Sequence, residues 1–320
     1  MSTTFVYRDA SDRWRLIEAD ALLALAKLPE HCIDAIVCDP PYGIDIVGKK
    51  WDRFNADGLS AGEAFERWSR VWATEALRVL KPGAHLIAFG SPRTFHRLVA
   101  GIEDAGFEVR DVLMWLNDQG IPKSRRLAGG LGTALKPAYE PILLGRVPLR
   151  GTTEQNLANW GTGALNIEAT RVGRPRYWPA NLTVSHSPDC PVAHLDGERS
   201  GPSRLFYCAK ASPDEREAGC ESLPARITPL YTGPKRKPRM VRNSHPTVKP
   251  IELMRWLVRL TTPSDGLVLD PFAGSATTGI AATLEGRTFL GIEREDDYVD
   301  IACARLHHWA AVAAQNEVLP

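Results

Sequence analysis

The fold of this chain is decided by the stretch Ala35-Ile36-Val37-Cys38-Asp39-Pro40-Pro41-Tyr42-Gly43. Its four apolar residues predict a strand buried on both faces, and the two prolines end that strand because proline cannot continue the hydrogen-bond ladder. Asp39 is therefore expected at the carboxyl end of a central strand, where open α/β sheets bind ligands. A carboxylate, the Pro40 carbonyl and the Tyr42 ring suit a planar group with an exocyclic amine. A strand-ending turn without such a role is the alternative.

A second strand of this kind lies near the far end of the chain. Residues 266–278 read GLVLDPFAGSATT: an apolar strand ending in Asp270, a loop with Gly274, and a helix that starts near Ser275. Glycine lets a ligand approach the backbone, and a helix start supplies free N–H groups. The next predicted strand, 288–292, is followed by Glu293, a position suited to ribose hydroxyls. Because no GxGxxG motif is present, the pattern favours a nucleoside without a pyrophosphate.

Together these motifs resemble those of the DNA amino-methyltransferases that use S-adenosylmethionine. DPPY at 39–42 is similar to their catalytic motif and DPFAGSATT at 270–278 to their cofactor loop, in the order of the β-class, which methylates adenine N6 or cytosine N4. The likeness continues through GKKWD (48–52), LKPG (80–83), KPAYEP (136–141) and HPTVKP (245–250). Ala276 departs from the family loop, which usually has a second glycine there.

The resemblance implies an α/β fold with a doubly wound, mostly parallel sheet of the Rossmann-like methyltransferase type. It divides the chain into a catalytic half at 1–145, an inserted target-recognition region at 146–244 and a cofactor-binding half at 245–320. The catalytic residues would be Asp39, Pro40, Pro41 and Tyr42. The residues expected to bind S-adenosylmethionine are Asp20, Thr247, Lys249, Asp270, Pro271, Phe272, Ala273, Gly274, Ser275, Thr277 and Glu293. For Asp20, a role as helix N-cap is an equal alternative.

The distribution of charge predicts where DNA binds. The whole chain has a net charge of +1, but between Arg146 and Arg242 there are 15 Lys and Arg against 9 Asp and Glu. A basic segment on an acidic body is what phosphate contact requires, and an uneven solvated surface is the alternative. The residues expected to contact double-stranded DNA are Lys49, Lys123, Arg125, Arg171, Arg174, Arg176, Lys235, Arg236 and Lys237.

Composition excludes several other classes. Apolar residues make up 44% of the 320 residues, which is ample for a core, and no apolar run reaches membrane-spanning length. The start lacks the apolar segment of a signal peptide, so a cytoplasmic protein of a bacterium or phage is expected. The six cysteines contain no CxxC pair, so reduced thiols and no metal are expected. An irregular zinc site is the alternative, with ligands from His186, Cys190, His194, Cys208 and Cys220.

Local patterns predict the surrounding elements. A helix over 61–80 carries the aromatic residues Phe65, Trp68 and Trp72, a stripe more typical of a core than of a base-stacking surface, and Lys81-Pro82-Gly83 ends it. The strand 139–144 is expected at a sheet edge because of Pro141. The long loop 43–55 could close over the site, or Trp51 could anchor it structurally.

The resemblance also implies a mechanism. Asp39 and the Pro40 carbonyl would accept the two hydrogens of the exocyclic amine of a flipped base, so that its lone pair faces the methyl group, and Tyr42 would stack on the base. Because aspartate at the first motif position usually accompanies adenine in this family, adenine N6 is favoured over cytosine N4. Methylation of RNA or protein is a further alternative. A homodimer and a companion restriction endonuclease are partners to consider.

Overall fold

The computed structural model describes residues 5–117, 127–172, 176–184, 206–228 and 239–317. Its strands are β1 (Phe5–Arg8), β2 (Trp14–Glu18), β3 (Ile33–Cys38), β4 (Leu80–Phe89), β5 (Glu108–Leu116), β6 (Tyr139–Arg146), β7 (Leu182–Val184), β8 (Phe206–Tyr207), β9 (Arg226–Thr228), β10 (Arg239–Val241), β11 (Leu267–Asp270) and β12 (Thr288–Glu293). Its helices are α1 (Ala21–Leu25), α2 (Ala61–Val79), α3 (Phe95–Asp104), α4 (Thr153–Trp160), α5 (Pro213–Glu217), α6 (Ile251–Thr261), α7 (Thr277–Leu284) and α8 (Asp296–Glu317).

Ten of the described strands form one sheet, in the order β1-β2-β12-β11-β3-β4-β6-β5-β7-β8. The strands from β2 to β4 in this order run parallel to one another, whereas β6 is antiparallel to both of its neighbours. The chain continues from β11 to β12 on one side and from β3 to β4 on the other, so the strand order reverses between β11 and β3. Open α/β sheets bind ligands at the carboxyl ends of the strands at such a reversal.

Helices cover both faces of the sheet, which is why its central strands are apolar throughout. In β3, Ile36 packs in the core formed with α2 and α3, and the next residue, Val37, packs in the core formed with α6, α7 and α8. Both side chains are fully buried. The predicted doubly wound, mostly parallel α/β fold is confirmed. None of the helices in the described ranges has the length and apolarity needed to cross a membrane.

The predicted helix over 61–80 is confirmed as α2, which ends at Val79. Lys81-Pro82-Gly83 then lies within β4, whose ladder pairs Ile33 with Leu80 and resumes, after a shift of register, with Ala35 and His85. The prediction that the strand with Pro141 lies at a sheet edge is wrong. The strand with Pro141 lies inside the sheet, between β4 and β5. The Pro141 carbonyl accepts a hydrogen bond from the Gly90 N–H at 2.9 Å, one residue beyond the end of β4. Pro141 therefore faces Gly90, where β4 has already ended, and its missing N–H removes no hydrogen bond from the ladder between β4 and β6.

The segment predicted as an insertion adds elements to this sheet. β7 pairs with β5, where Leu182 faces Met114, and β8 pairs with β7. At the start of the segment, α4 carries the buried Asn156, whose Nδ2 donates to the Pro82 carbonyl at 2.8 Å. The strands β7 and β8 and the helix α4 are thus joined to the main sheet by hydrogen bonds, whereas β9 and β10 pair with each other in a separate two-stranded sheet. The division of the chain at 145 and 244 stays a prediction.

Candidate active site

The two predicted motifs lie side by side at one edge of the sheet. Asp39 directly follows β3 and Asp270 ends β11, and these parallel strands are hydrogen-bonded partners. A small cavity between the strand ends is lined by Asp39 and by Gly274. A larger cavity of about 320 Å³ is lined by Pro41 and again by Gly274. The catalytic motif and the cofactor loop therefore border the same space.

The Asp39 carboxylate lies in a cluster of polar groups. Its Oδ1 accepts a hydrogen bond from the Tyr42 hydroxyl at 2.7 Å, and its Oδ2 is in contact with the Lys249 ammonium. A second carboxylate, Glu140 at the start of β6, reaches the same two groups: its Oε2 lies 3.0 Å from the Tyr42 hydroxyl and 3.5 Å from Lys249 Nζ. Thr94 fixes the turn by donating to the Tyr42 carbonyl at 2.5 Å.

Burial and charge act against each other in this cluster. Burial raises the pKa of Asp39, although Lys249 partly offsets it. At Glu140 burial acts in the same direction, but Lys249 and Lys210 outweigh it and hold the pKa below its usual value. Burial would lower the pKa of Lys249, yet Asp39 and Glu140 raise it. The ammonium is thus kept charged by two carboxylates that share it.

The loop after β11 is shaped by its own acid. Asp270 accepts hydrogen bonds from the Phe272 N–H at 3.0 Å and from the Thr278 hydroxyl at 2.7 Å, and burial raises its pKa to about 7. Ala276 adopts the left-handed conformation, with φ of 56°, that favours glycine. Its methyl group is fully buried in the core, and that burial offsets part of the backbone cost. This explains how the loop tolerates alanine where the family usually has glycine.

Gly274 and His245 lie against each other at the junction of the two cavities. Gly274 has φ of +52°, and a Cβ at this position would lie 2.6 Å from His245 Nε2. The His245 ring borders both cavities and packs edge-on against Tyr298. Burial, together with Lys249 and other nearby cations, lowers the pKa of His245 to about 3, so the ring is neutral at neutral pH.

Two acids border the larger cavity from the carboxyl ends of the neighbouring parallel strands β12 and β2. Glu293 Oε2 accepts the Gly274 N–H at 2.7 Å, and its Oε1 accepts the N–H groups of Arg294 and Glu295, each at 2.9 Å. Asp20 caps α1 by accepting the Leu22 N–H at 3.0 Å, and it also lines the cavity. Each Glu293 oxygen can accept two hydrogen bonds, so Oε2 can still accept one from a ligand.

Aromatic side chains form a wall of the same cavity. Trp68 and Trp72 line it, and each ring centroid lies 5.4 Å from that of Phe272. The loop 43–55 adds Trp51 and Phe54 to the lining, and the Phe54 ring centroid lies 4.9 Å from that of Trp68. This loop is folded around the buried Asp52, whose carboxylate accepts the N–H groups of Gly43, Ile44 and Ile46 at 2.6, 3.2 and 2.7 Å.

Most of the chain, including most of this site, matches the model of one protein family. Residues 33–304 match the family model for DNA methylases of the N6/N4 type. The chain belongs to that family. Its members use S-adenosyl-L-methionine as the methyl donor. The matched span contains β3, β11 and both motifs.

Individual relatives agree with this assignment. The methylase is 25% identical to the Type II methyltransferase M.HindIII of Haemophilus influenzae, over 91% of this chain and 94% of the relative. It is also 25% identical to the Type II methyltransferase M.ScaI of Streptomyces caespitosus, over 91% of this chain and 80% of the relative.

Solved structures share the fold of the methylase. The cytosine-N4-specific PvuII DNA methyltransferase matches with a TM-score of 0.56 at 17% identity, over 94% of this chain and 92% of that chain. A DNA modification methylase of Thermus thermophilus, complexed with S-adenosyl-L-methionine, matches with a TM-score of 0.51 at 20% identity, over 92% and 94% of the two chains.

All eleven predicted cofactor residues of the methylase line one or both of the two cavities. The larger cavity is lined by Asp20, Pro271, Phe272, Gly274 and Glu293. The smaller one is lined by Thr247, Lys249, Asp270, Phe272, Ala273, Gly274, Ser275 and Thr277. Of the catalytic motif, Pro40 is buried and Pro41 lines the larger cavity. The roles of these residues stay predictions.

The predicted DNA contacts are only partly within the described residues. Arg171 donates to Glu168 at 2.6 Å and its guanidinium lies 5.6 Å from the exposed Trp178 ring. Arg176 donates to the Glu168 carbonyl at 2.6 Å, and Lys49 Nζ lies 5.5 Å from the Tyr298 ring. Their DNA contacts stay predictions. Outside the described residues lie Lys123, Arg125, Arg174, Lys235, Arg236 and Lys237.

The alternative of a zinc site finds no further support. His186, Cys190 and His194 lie outside the described residues. Cys208 and Cys220 are buried free thiols, and burial raises their pKa to about 12 and about 11. No cluster of metal-ligating side chains occurs within the described part of the chain.

Sequence reasoning missed several residues of the site. Glu140 and His245 stand in the motifs KPAYEP and HPTVKP, but neither receives a role from the sequence alone. Trp68 and Trp72 are predicted as core, and the structure shows that they also border the larger cavity. The buried Arg305 of α8 donates to the Ser275 carbonyl at 2.5 Å and to the Thr277 hydroxyl at 3.1 Å, which fixes the start of α7. An arginine in an amphipathic helix gives no sequence signal for such a contact.

Proposed function

We propose that this methylase transfers a methyl group from S-adenosyl-L-methionine to the exocyclic amine of a flipped base in double-stranded DNA, at specific sites. Adenine N6 is the favoured acceptor and cytosine N4 the alternative. The observation that carries the proposal is the space shared by Asp39 and the loop around Gly274. An acceptor amine held at Asp39 would lie next to a donor held by that loop, as transfer between two bound groups requires.

The larger cavity fits the nucleoside part of the donor. Trp68, Trp72 and Phe272 offer an apolar wall for a purine ring. The carboxylates of Asp20 and Glu293 can accept hydrogen bonds from the ribose hydroxyls or from the exocyclic amine of the adenine. When bound, S-adenosyl-L-methionine supplies an electrophilic methyl group on a positively charged sulfur.

The catalytic motif would position and polarise the acceptor. An exocyclic amine is a weak nucleophile because its lone pair is delocalised into the ring. Hydrogen bonds from the amine to the Asp39 carboxylate and to the Pro40 carbonyl favour a pyramidal nitrogen whose lone pair is available. The Asp39 side chain is only 17% exposed, and this shielding makes the interaction stronger than it would be in water. A base must leave the duplex to reach such a site, which costs a few kcal/mol of unstacking.

The preference for adenine rests on Asp39 as the first motif residue. In the resembled family aspartate usually accompanies adenine and serine usually accompanies cytosine N4. The two named relatives are Type II methyltransferases, so a companion restriction endonuclease belongs to this proposal.

One experiment tests acceptor and base together. Purified protein and methyl-labelled S-adenosyl-L-methionine are incubated with unmethylated DNA, RNA or total protein. One portion of the DNA is then digested to nucleosides to identify the methylated base, and another portion is sequenced to locate it. We expect label in DNA only, recovered as N6-methyladenine at a defined sequence. N4-methylcytosine would select the alternative base, and label confined to RNA or protein would refute the proposed DNA substrate.

A further inference from the structure

The Lys249 ammonium occupies the carboxylate that the acceptor amine needs. Its side chain is only 6% exposed and contacts Asp39 Oδ2, while the Tyr42 hydroxyl donates to Oδ1. Both Asp39 oxygens therefore have a donor in this structure. Oδ2 can accept a second hydrogen bond, but the ammonium paired with it neutralises the negative charge that would polarise the acceptor amine. The Asp39 carboxylate therefore interacts with the acceptor amine at full strength only when Lys249 moves away.

Glu140 offers Lys249 a second carboxylate at close range. Its Oε2 lies 3.5 Å from Lys249 Nζ, beyond the distance of a strong charge-assisted hydrogen bond. On its other side, Oε1 lies 3.7 Å from Lys210 Nζ. Glu140 comes from the start of β6, whereas Asp39 follows β3, so the two carboxylates are held by different strands. A movement of less than about 1 Å would bring the ammonium into a direct hydrogen bond with Glu140.

We propose that Glu140 is a positioning residue, which forms the ion pair with the Lys249 ammonium when the acceptor amine binds Asp39. This inference rests on the proposed function and describes how Asp39 becomes available to the acceptor amine. Lys249 is paired before and after the exchange, so the site avoids the cost of an unpaired buried charge. The apolar ring of Phe89, whose centroid lies 4.9 Å from Lys249 Nζ, and the ring of Tyr42 at 5.5 Å can hold the cation between the two carboxylates.

The exchange predicts a specific defect in Glu140→Gln. The amide keeps the side-chain volume, and its oxygen can still lie beside the Tyr42 hydroxyl, but it cannot neutralise an ammonium. Lys249 then stays on Asp39, and we expect the methylation rate at saturating donor to fall roughly 30-fold or more, as when one member of a buried charge pair is removed. The fluorescence gain of a base analogue at the target position should fall in parallel, while the Kd for S-adenosyl-L-methionine stays within about twofold.

The deciding comparison adds Lys249→Met to the first variant. In Glu140→Gln/Lys249→Met no ammonium competes for Asp39, so we expect this double variant to methylate DNA faster than Glu140→Gln alone, with donor saturating for each protein. A residue that merely supports the fold would give a double variant as slow as, or slower than, the single one. Thermal unfolding of each protein shows that the compared variants are folded.

The outcomes separate this inference from the function on which it rests. Wild-type protein that transfers no methyl group to DNA would contradict the proposed function. An active wild type with a double variant no faster than Glu140→Gln, or with a Glu140→Gln variant of unchanged rate, would overturn the role of Glu140 and leave the proposed function standing.

Discussion

Replacing Gly274 with alanine should disrupt the junction between the two cavities. Residue 274 has φ of +52°, and the new Cβ would lie 2.6 Å from Nε2, 3.0 Å from Cε1 and 3.3 Å from Cδ2 of His245. The left-handed backbone alone costs an alanine roughly 1–2 kcal/mol. Pushing aside the half-buried ring of His245 adds about 1–3 kcal/mol, the usual cost of overpacking. We therefore expect Gly274→Ala to lower the free energy of unfolding by about 2–5 kcal/mol.

A matched control isolates the effect of the ring. Gly286 has φ of +70°, but a Cβ there meets no atom within 4 Å, so Gly286→Ala carries the backbone cost without the clash. Denaturant unfolding measures stability and calorimetry measures the Kd for S-adenosyl-L-methionine. We expect Gly274→Ala to raise that Kd at least about tenfold and Gly286→Ala to leave it unchanged. Equal stability losses and equal Kd values for the two variants would refute the role of the Gly274–His245 contact.

Three further perturbations test other parts of the site. Glu293→Ala removes the acceptor of the Gly274 N–H. Because a hydrogen bond to a charged group is worth roughly 1.5–3 kcal/mol, calorimetry should show a Kd for S-adenosyl-L-methionine that is raised about tenfold or more. An unchanged Kd would show that Glu293 is not part of the S-adenosyl-L-methionine site. Trp68→Ala removes part of the aromatic wall and should raise the same Kd roughly tenfold, whereas an unaltered value would contradict a wall that contacts the donor. Burial raises the pKa of Asp270 from 3.8 to about 7, so its contribution to stability is full below pH 3.8 and lost as the pH rises through about 7. The free energy of unfolding, measured at several pH values from about 5 to about 8, should fall more in the wild type than in Asp270→Asn. The same pH dependence in both proteins would contradict this role of Asp270.

The sequence alone predicts the two strand ends correctly because the physical signal is local. A strand buried on both faces is apolar at every position, and the acid and proline that follow mark its end. Ile36 and Val37 show this directly, since they pack in cores on opposite faces of the sheet. The nearness of Asp39 and Gly274 then follows from the pairing of parallel strands at a reversal in strand order.

The rest of the site depends on contacts that no local pattern encodes. Glu140 and Lys249 are separated from Asp39 by 101 and 210 residues in the chain, and only the folded sheet brings the three together. Helical periodicity identifies the buried face with Trp68 and Trp72, but it does not tell which buried rings border a cavity. Pro141 shows a third limit, since the effect of a missing N–H depends on where the neighbouring strand ends.

The most direct test is the single-turnover rate of methyl transfer to DNA by Asp39→Ala, with donor binding measured on the same preparation. The exposed Glu30→Ala serves as the matched control. We expect no detectable transfer by Asp39→Ala, a Kd for S-adenosyl-L-methionine close to that of wild type, and full activity in Glu30→Ala. Transfer at the wild-type rate by Asp39→Ala would contradict the role of the β3 strand end in binding the acceptor amine.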